Sequence, residues 1–263
     1  MLGFDRVFYY PDRRRRGTPA DEGLAFEEVH FRASDGVPLH GWYLPPASPS
    51  RGTVLHIHGN AANITGHYPF VGWLPAAGYG VLTFDYRGFG QSAGRVTREG
   101  TILDALSALD YLRNRKDVDP RRIVLFGQSI GAVVASVVAA ERRGQVAGVI
   151  MESAFTGYRA IAAHHIWRNP LFFALAWWFP YGLDRQYDAI DYVARISPAA
   201  LLLVHGKSDR ITPWQMSREL FEAAREPKEA WFVDGVDHMD VWEQLPDVAR
   251  RRFLAFCEKS LSR

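Results

Sequence analysis

The thirteen residues from Arg122 to Val134 constrain the fold more than any other stretch. An apolar, β-prone run, Ile123-Val124-Leu125-Phe126, meets Gly127-Gln128-Ser129-Ile130-Gly131, and a small-residue helical pattern (Ala132, Ala135, Ser136, Ala139) follows. Gly-x-Ser-x-Gly between a strand and a helix makes so sharp a turn that the serine is strained, with its hydroxyl held out at the carboxyl end of the strand. Gly127 and Gly131 flank it because a Cβ at either position would strike the neighbouring strand or helix. The five-residue pattern alone also fits an ordinary β-turn with a surface serine. Its strand and helix context is what makes Ser129 a candidate nucleophile.

At 263 residues the chain is long enough for one large α/β domain with a substantial core. Residues 26–33 and 37–44 predict two strands, joined at Asp35-Gly36, a strong hairpin signal. Further strands are predicted over 53–58, 81–84, 123–126, 146–152, 200–205 and 230–233. Helices are predicted over 66–77, where Pro69 and Pro75 intervene, and over 101–115, 131–141, 214–224 and 248–260. Strands alternating with helices predict a mostly parallel sheet covered on both faces.

Two segments break the rhythm. Residues 154–196 are longer than a plain crossover and read as a small cap or lid carrying the aromatic run 171–181. That run is too short to span a bilayer. It is either a helix packed on the body or an apolar wall for an acyl group, with Phe155, Trp177 and Trp178 as candidate substrate contacts. Residues 1–25 read as an N-terminal arm, aromatic at Phe4, Phe8, Tyr9 and Tyr10 and then basic at Arg13, Arg14, Arg15 and Arg16. The plain reading is a solvated arm; the sharper one is a weak peripheral contact with an anionic membrane.

A formal net charge of +2 gives no general pull toward nucleic acid. The single cysteine, Cys257, rules out an intrachain disulfide and any cysteine-based metal site, and agrees with a reducing, cytoplasmic setting. With no secretory pattern and no run of about 18 apolar residues, the expectation is a soluble protein.

A serine nucleophile needs a base, and the base needs an orienting acid. Asp209 lies just beyond the predicted strand 200–205, and His238 just past 230–233, so both fall at the strand ends that carry sites in open α/β sheets. His238 would take the Ser129 proton and Asp209 would fix the imidazole tautomer. Asp237, Asp240 and Asp234 rank lower, because a near neighbour in sequence rarely reaches round to the ring nitrogen. The oxyanion donors are expected at the Ile130 amide, next after the nucleophile, and at the Asn60 amide in the loop His58-Gly59-Asn60-Ala61. His58 reads as a buried brace. His164 and His165, adjacent on one helix, face different ways, so no metal is expected. The loop Asp85-Tyr86-Arg87-Gly88-Phe89-Gly90 lacks a nucleotide fingerprint, and Arg87 reads as a structural ion-pair partner.

With these residues in place the chain resembles the α/β-hydrolase superfamily. The loops His58-Gly59-Asn60-Ala61-Ala62-Asn63-Ile64 and Asp85-Tyr86-Arg87-Gly88-Phe89-Gly90 narrow the likeness to its Bem46-like branch, over about residues 8–257. The resemblance implies an α/β-hydrolase fold with an eight-stranded sheet, a triad of Ser129, Asp209 and His238, and ester or thioester hydrolysis. Ala62 stands where the family loop usually has glycine. Many members begin with a membrane-anchoring helix or a lipidated cysteine-rich start; this sequence shows neither. The expectation is a cofactor-free serine hydrolase acting on a small or acylated substrate with an apolar acyl group. A peptidase or lactonase would use the same triad, and a non-catalytic scaffold binding a lipid or protein partner is the reading of another class.

Overall fold

The computed structural model describes residues 8–47, 49–168, 174 and 176–262. Eight strands build one sheet: β1 (Glu27–Arg32), β2 (Pro38–Leu44), β3 (Gly52–Ile57), β4 (Tyr79–Phe84), β5 (Ile123–Gln128), β6 (Gly148–Glu152), β7 (Ala200–Gly206) and β8 (Lys228–Val233). Their spatial order is β1-β2-β4-β3-β5-β6-β7-β8. β1 with β2 and β2 with β4 are antiparallel; every later pairing is parallel. The order reverses once, at β4-β3-β5, and in such sheets the reversal opens a crevice at the strands' carboxyl ends.

Period-two alternation in the central strands assigns their side chains to two cores. Leu55 and Ile57, Leu125, Val149 and Met151, and Leu201 and Leu203 face one side. Val54, Val124 and Phe126, Ile150, and Leu202 and Val204 face the other. Over the first face lie α1 (Arg98–Arg113), α2 (Ile130–Glu141) and α4 (Trp214–Ala223); over the second lies α5 (Pro246–Leu261), through Phe253 and Phe256. α3 (Tyr158–Arg168) belongs to the cap region. α2 is buried from Ile130 to Ala140, and its Ala and Ser positions let it lie tightly on the sheet. α1 begins at Thr97, whose side chain accepts the Gly100 amide at 2.9 Å, a side-chain N-cap.

Two expectations are corrected. Residues 66–77 are not one helix: a single turn, Ile64–His67, gives way to 3₁₀ turns at Tyr68–Phe70 and Pro75–Ala77, because the prolines remove the donors a longer helix needs. The N-terminal segment is a solvated arm only in part: Tyr9 is buried and Tyr10–Pro11 pairs in parallel with Ala61–Ala62, whereas Arg13 to Arg16 are exposed. Phe4 and residues 171–173 and 175 of the aromatic run lie outside the described residues. Among the described residues, no helix is long and apolar enough to cross a membrane.

Candidate active site

Ser129 sits between β5 and α2 at φ 55° and ψ −119°, a conformation that costs about 1–3 kcal/mol and persists only where the surroundings enforce it. The enforcement is visible. A Cβ on Gly127 would lie 2.3 Å from the Gly131 carbonyl oxygen, and one on Gly131 would lie 2.1 Å from that of Ile57. The Ser129 amide donates to the Glu152 carbonyl at 2.8 Å, fixing the turn to the end of β6.

β7 and β8 deliver the acid and the base. Gly206, at the end of β7, has room only for hydrogen, since a Cβ would meet the Val236 carbonyl oxygen at 2.3 Å. That close approach lays the loop carrying Asp209 against the loop carrying His238. Asp209 Oδ2 accepts from His238 Nδ1 at 2.7 Å, from His205 Nε2 at 3.0 Å and from the Thr212 hydroxyl at 2.8 Å. Its Oδ1 accepts the amides of Ile211 and Thr212, both at 2.8 Å. Burial alone would raise the Asp209 pKa, but the bonds from His205 and His238 outweigh it and hold the carboxyl well below the usual range. The acid is therefore an anion aimed at Nδ1 of His238, which leaves Nε2 as the nitrogen available to a nucleophile.

The other aspartates are occupied elsewhere. Asp237 accepts the Arg210 amide and guanidinium, Asp234 pairs with Lys207 at 2.9 Å, and Asp240 precedes the short helix Val241–Gln244. Positive φ recurs around the site, at Ser153 (51°) and Met239 (61°) as well as Ser129.

On the opposite side, His58 Nδ1 lies 2.7 Å from the Gly59 carbonyl, and His67 Nε2 lies 2.7 Å from that of Ala61. Burial pushes both imidazoles down, so they act as neutral donors, stacked with centroids 5.0 Å apart. His58 is the buried brace expected of it. In a trans peptide the C=O and the following N–H point in opposite directions. Drawing the Gly59 carbonyl toward His58 therefore turns the Asn60 N–H the other way. No hydrogen bond among the described residues uses the amide of Asn60 or of Ile130. Arg87 takes the structural role expected, bound to Asp104 and Asp35.

Ser129, Ile130 and Asn60 open into a cavity of about 520 Å³, an ordinary size for a small-molecule site. Phe155, Ile161, Phe179 and Ile211 give it apolar walls, and Thr212 reaches it from the Asp209 side. Of the predicted substrate contacts, Phe155 lines the cavity. Trp177 and Trp178 do not; they are about half exposed, while Ala176 and Phe179 on either side of them line it.

His205 and Thr212 were not read from the sequence, and Phe8 and Tyr10 were read only as aromatics of the N-terminal arm. A histidine ending the otherwise apolar β7 was the one available signal. Among the described residues, no group of three His, Cys, Asp or Glu side chains is placed to hold a metal ion.

A family model described as serine aminopeptidase, S33 (Hydrolase_4), matches residues 48–194, more than half of the chain. YfhR of Escherichia coli (strain K12) is 39% identical over 261 residues, 97% of this chain and 87% of that protein. Protein bem46 of Schizosaccharomyces pombe is 27% identical over 229 residues, 81% of this chain and 72% of its own length. Among solved structures, the Pyrococcus furiosus esterase Pf2001 superposes with a TM-score of 0.79 at 25% identity, covering 96% of this chain and 99% of the esterase.

Proposed function

The chain belongs to the α/β-hydrolase family, in its serine aminopeptidase S33 group, and from that membership we propose that it cleaves a carboxylic ester or thioester through an acyl-enzyme on Ser129. One observation carries the reading: a carboxylate held ionised in the interior is bonded at 2.7 Å to His238, and another of its partners, Thr212, lines the same cavity as Ser129, a serine on a strained turn. In the proposed reaction His238 Nε2 accepts the Ser129 proton as Oγ bonds to the acyl carbon. The Ile130 and Asn60 amides receive the developing oxyanion. Collapse breaks the bond to the alkoxide or thiolate, which takes the proton from His238. Water, deprotonated by the same imidazole, then bonds to the acyl carbon, and the Ser129 Oγ–acyl bond breaks as Oγ takes the proton back from His238, releasing the acid.

The lining supports an apolar acyl group over a peptide. An aminopeptidase must receive an α-ammonium group, and no carboxylate appears among the described residues lining the cavity. The esterase title of the structural relative points the same way.

Labelling with a fluorophosphonate probe tests the nucleophile. Wild type should label and Ser129→Ala should not; unlabelled but folded wild type would refute the reading.

A further inference from the structure

The N-terminal segment does more than cover the body. From Tyr10 it runs alongside the loop that carries Asn60. The Tyr10 amide donates to Asn60 Oδ1 at 2.9 Å, and Asp12 donates to the Ala62 carbonyl at 3.2 Å. Asn63 returns two bonds through Nδ2, to the carbonyls of Asp12 at 3.0 Å and Arg14 at 2.9 Å. Gly90, in the loop after β4, donates to the Asp12 carbonyl at 2.9 Å. Tyr9 is buried, with its hydroxyl 3.0 Å from that of Tyr158 and 3.2 Å from Thr101 Oγ1. Phe8 meets the Tyr158 ring edge-on at 5.2 Å, and both Phe8 and Tyr10 line the cavity that holds Ser129.

We propose that residues 8–12 form a strap belonging to the substrate site, which sets the room for the acyl chain through Phe8 and Tyr10 and holds the Asn60 loop through the Tyr10 amide. This rests on the acyl-enzyme reading above and names what selects its substrate. Phe8 and Tyr10 stand in one cavity with Phe155 and Phe179, side chains contributed from the cap region. The space for an acyl chain is therefore bounded by two segments separated in sequence by β1 to β6, six of the eight strands of the sheet. A bulkier residue at position 8 shortens that space and a smaller one lengthens it. At position 10 the two contributions separate: Tyr10→Ala removes the ring and keeps the amide donor, whereas Tyr10→Pro removes both.

The test is kcat and KM for p-nitrophenyl esters from acetate to laurate, on the full chain. Phe8→Ala should raise the ratio of kcat/KM for decanoate over acetate, and Phe8→Trp should lower it, each by about tenfold, the scale set by a few methylenes of apolar contact. Tyr10→Pro should lose about tenfold or more in kcat relative to Tyr10→Ala with every ester, part of the 10²–10³ that removal of an oxyanion donor costs. Melting curves confirm folding of each variant. Profiles that do not move with residue 8, or equal kcat for the two Tyr10 variants, would overturn the strap. If wild type neither labels nor turns over, it is the acyl-enzyme reading that fails. The wall is then judged by calorimetry with decanoate: weaker binding to Phe8→Trp than to wild type upholds it, and equal binding or none rejects it.

Discussion

Glu152 closes β6 directly beneath the elbow, fully enclosed, with Oε2 accepting from Gln128 at 2.8 Å and from the Trp242 indole at 2.7 Å. Burial pushes its carboxyl up to about 7 despite those two bonds, which favour the charged form. Gln128 passes the contact on to His56, 2.9 Å away, whose imidazole burial pushes down to about 3. The sign of the linkage follows. Between about pH 4.5 and 7 the folded state holds a proton on Glu152 that the unfolded state has lost, so this group makes stability fall as pH rises through that window. The loss is about 3 kcal/mol and levels off above pH 7. Glu152→Gln keeps an oxygen acceptor for both partners and removes the titration. Urea unfolding at pH 5 and pH 8 should show the variant gaining on wild type by that amount; parallel pH dependences would sink the assignment. At this scale the sequence pointed to Asp209 and His238, in the loops just beyond β7 and β8, because the sheet fixes where strand ends go. His205, Thr212 and Glu152 stayed hidden because their roles are contacts through space.

Among the elements, the loop from His58 to Asn63 carries one strained residue of its own. Ala62 lies at φ 64°, in the left-handed region where a Cβ costs roughly 1–2 kcal/mol. The strap bonds the Ala62 carbonyl and helps to hold the residue there. Ala62→Gly should relieve the strain at a smaller entropic cost in the unfolded chain, for a net gain of about 1 kcal/mol. In a chain of this size that is about 2–4 °C in melting temperature. An unchanged or lower Tm would show that the enclosing bonds, not the missing glycine, decide the turn. The strands were legible as elements because their apolar runs are short and bounded by turn residues. The strap was not: Tyr10 and Asp12 find partners some fifty residues away, and nothing local in the sequence encodes that pairing.

For the molecule as a whole, alternating strands and helices predicted the two covered faces, and the single reversal of strand order explains where the site opens. What alternation does not encode is the lock that joins the antiparallel edge to the parallel body. Arg87, after β4, bonds Asp104 of α1 through Nε at 2.9 Å and Nη2 at 2.7 Å. It also reaches Asp35, in the β1–β2 turn, at 2.7 Å. Gly100 makes room for it, since a Cβ there would lie 2.4 Å from Arg87 Cδ. Asp104 is wholly enclosed, so removing only the arginine strands a charge in the interior, at about 3–5 kcal/mol. The carboxylate also accepts the Arg87 backbone amide at 2.7 Å, a bond that an asparagine oxygen can keep. Arg87→Met should therefore be strongly destabilising, and adding Asp104→Asn should recover part of the loss by discharging the stranded partner. Urea unfolding of wild type, both single variants and the double variant measures the coupling. A double variant less stable than Arg87→Met would mean that hairpin, loop and helix are held by packing, with the ion pair incidental to it.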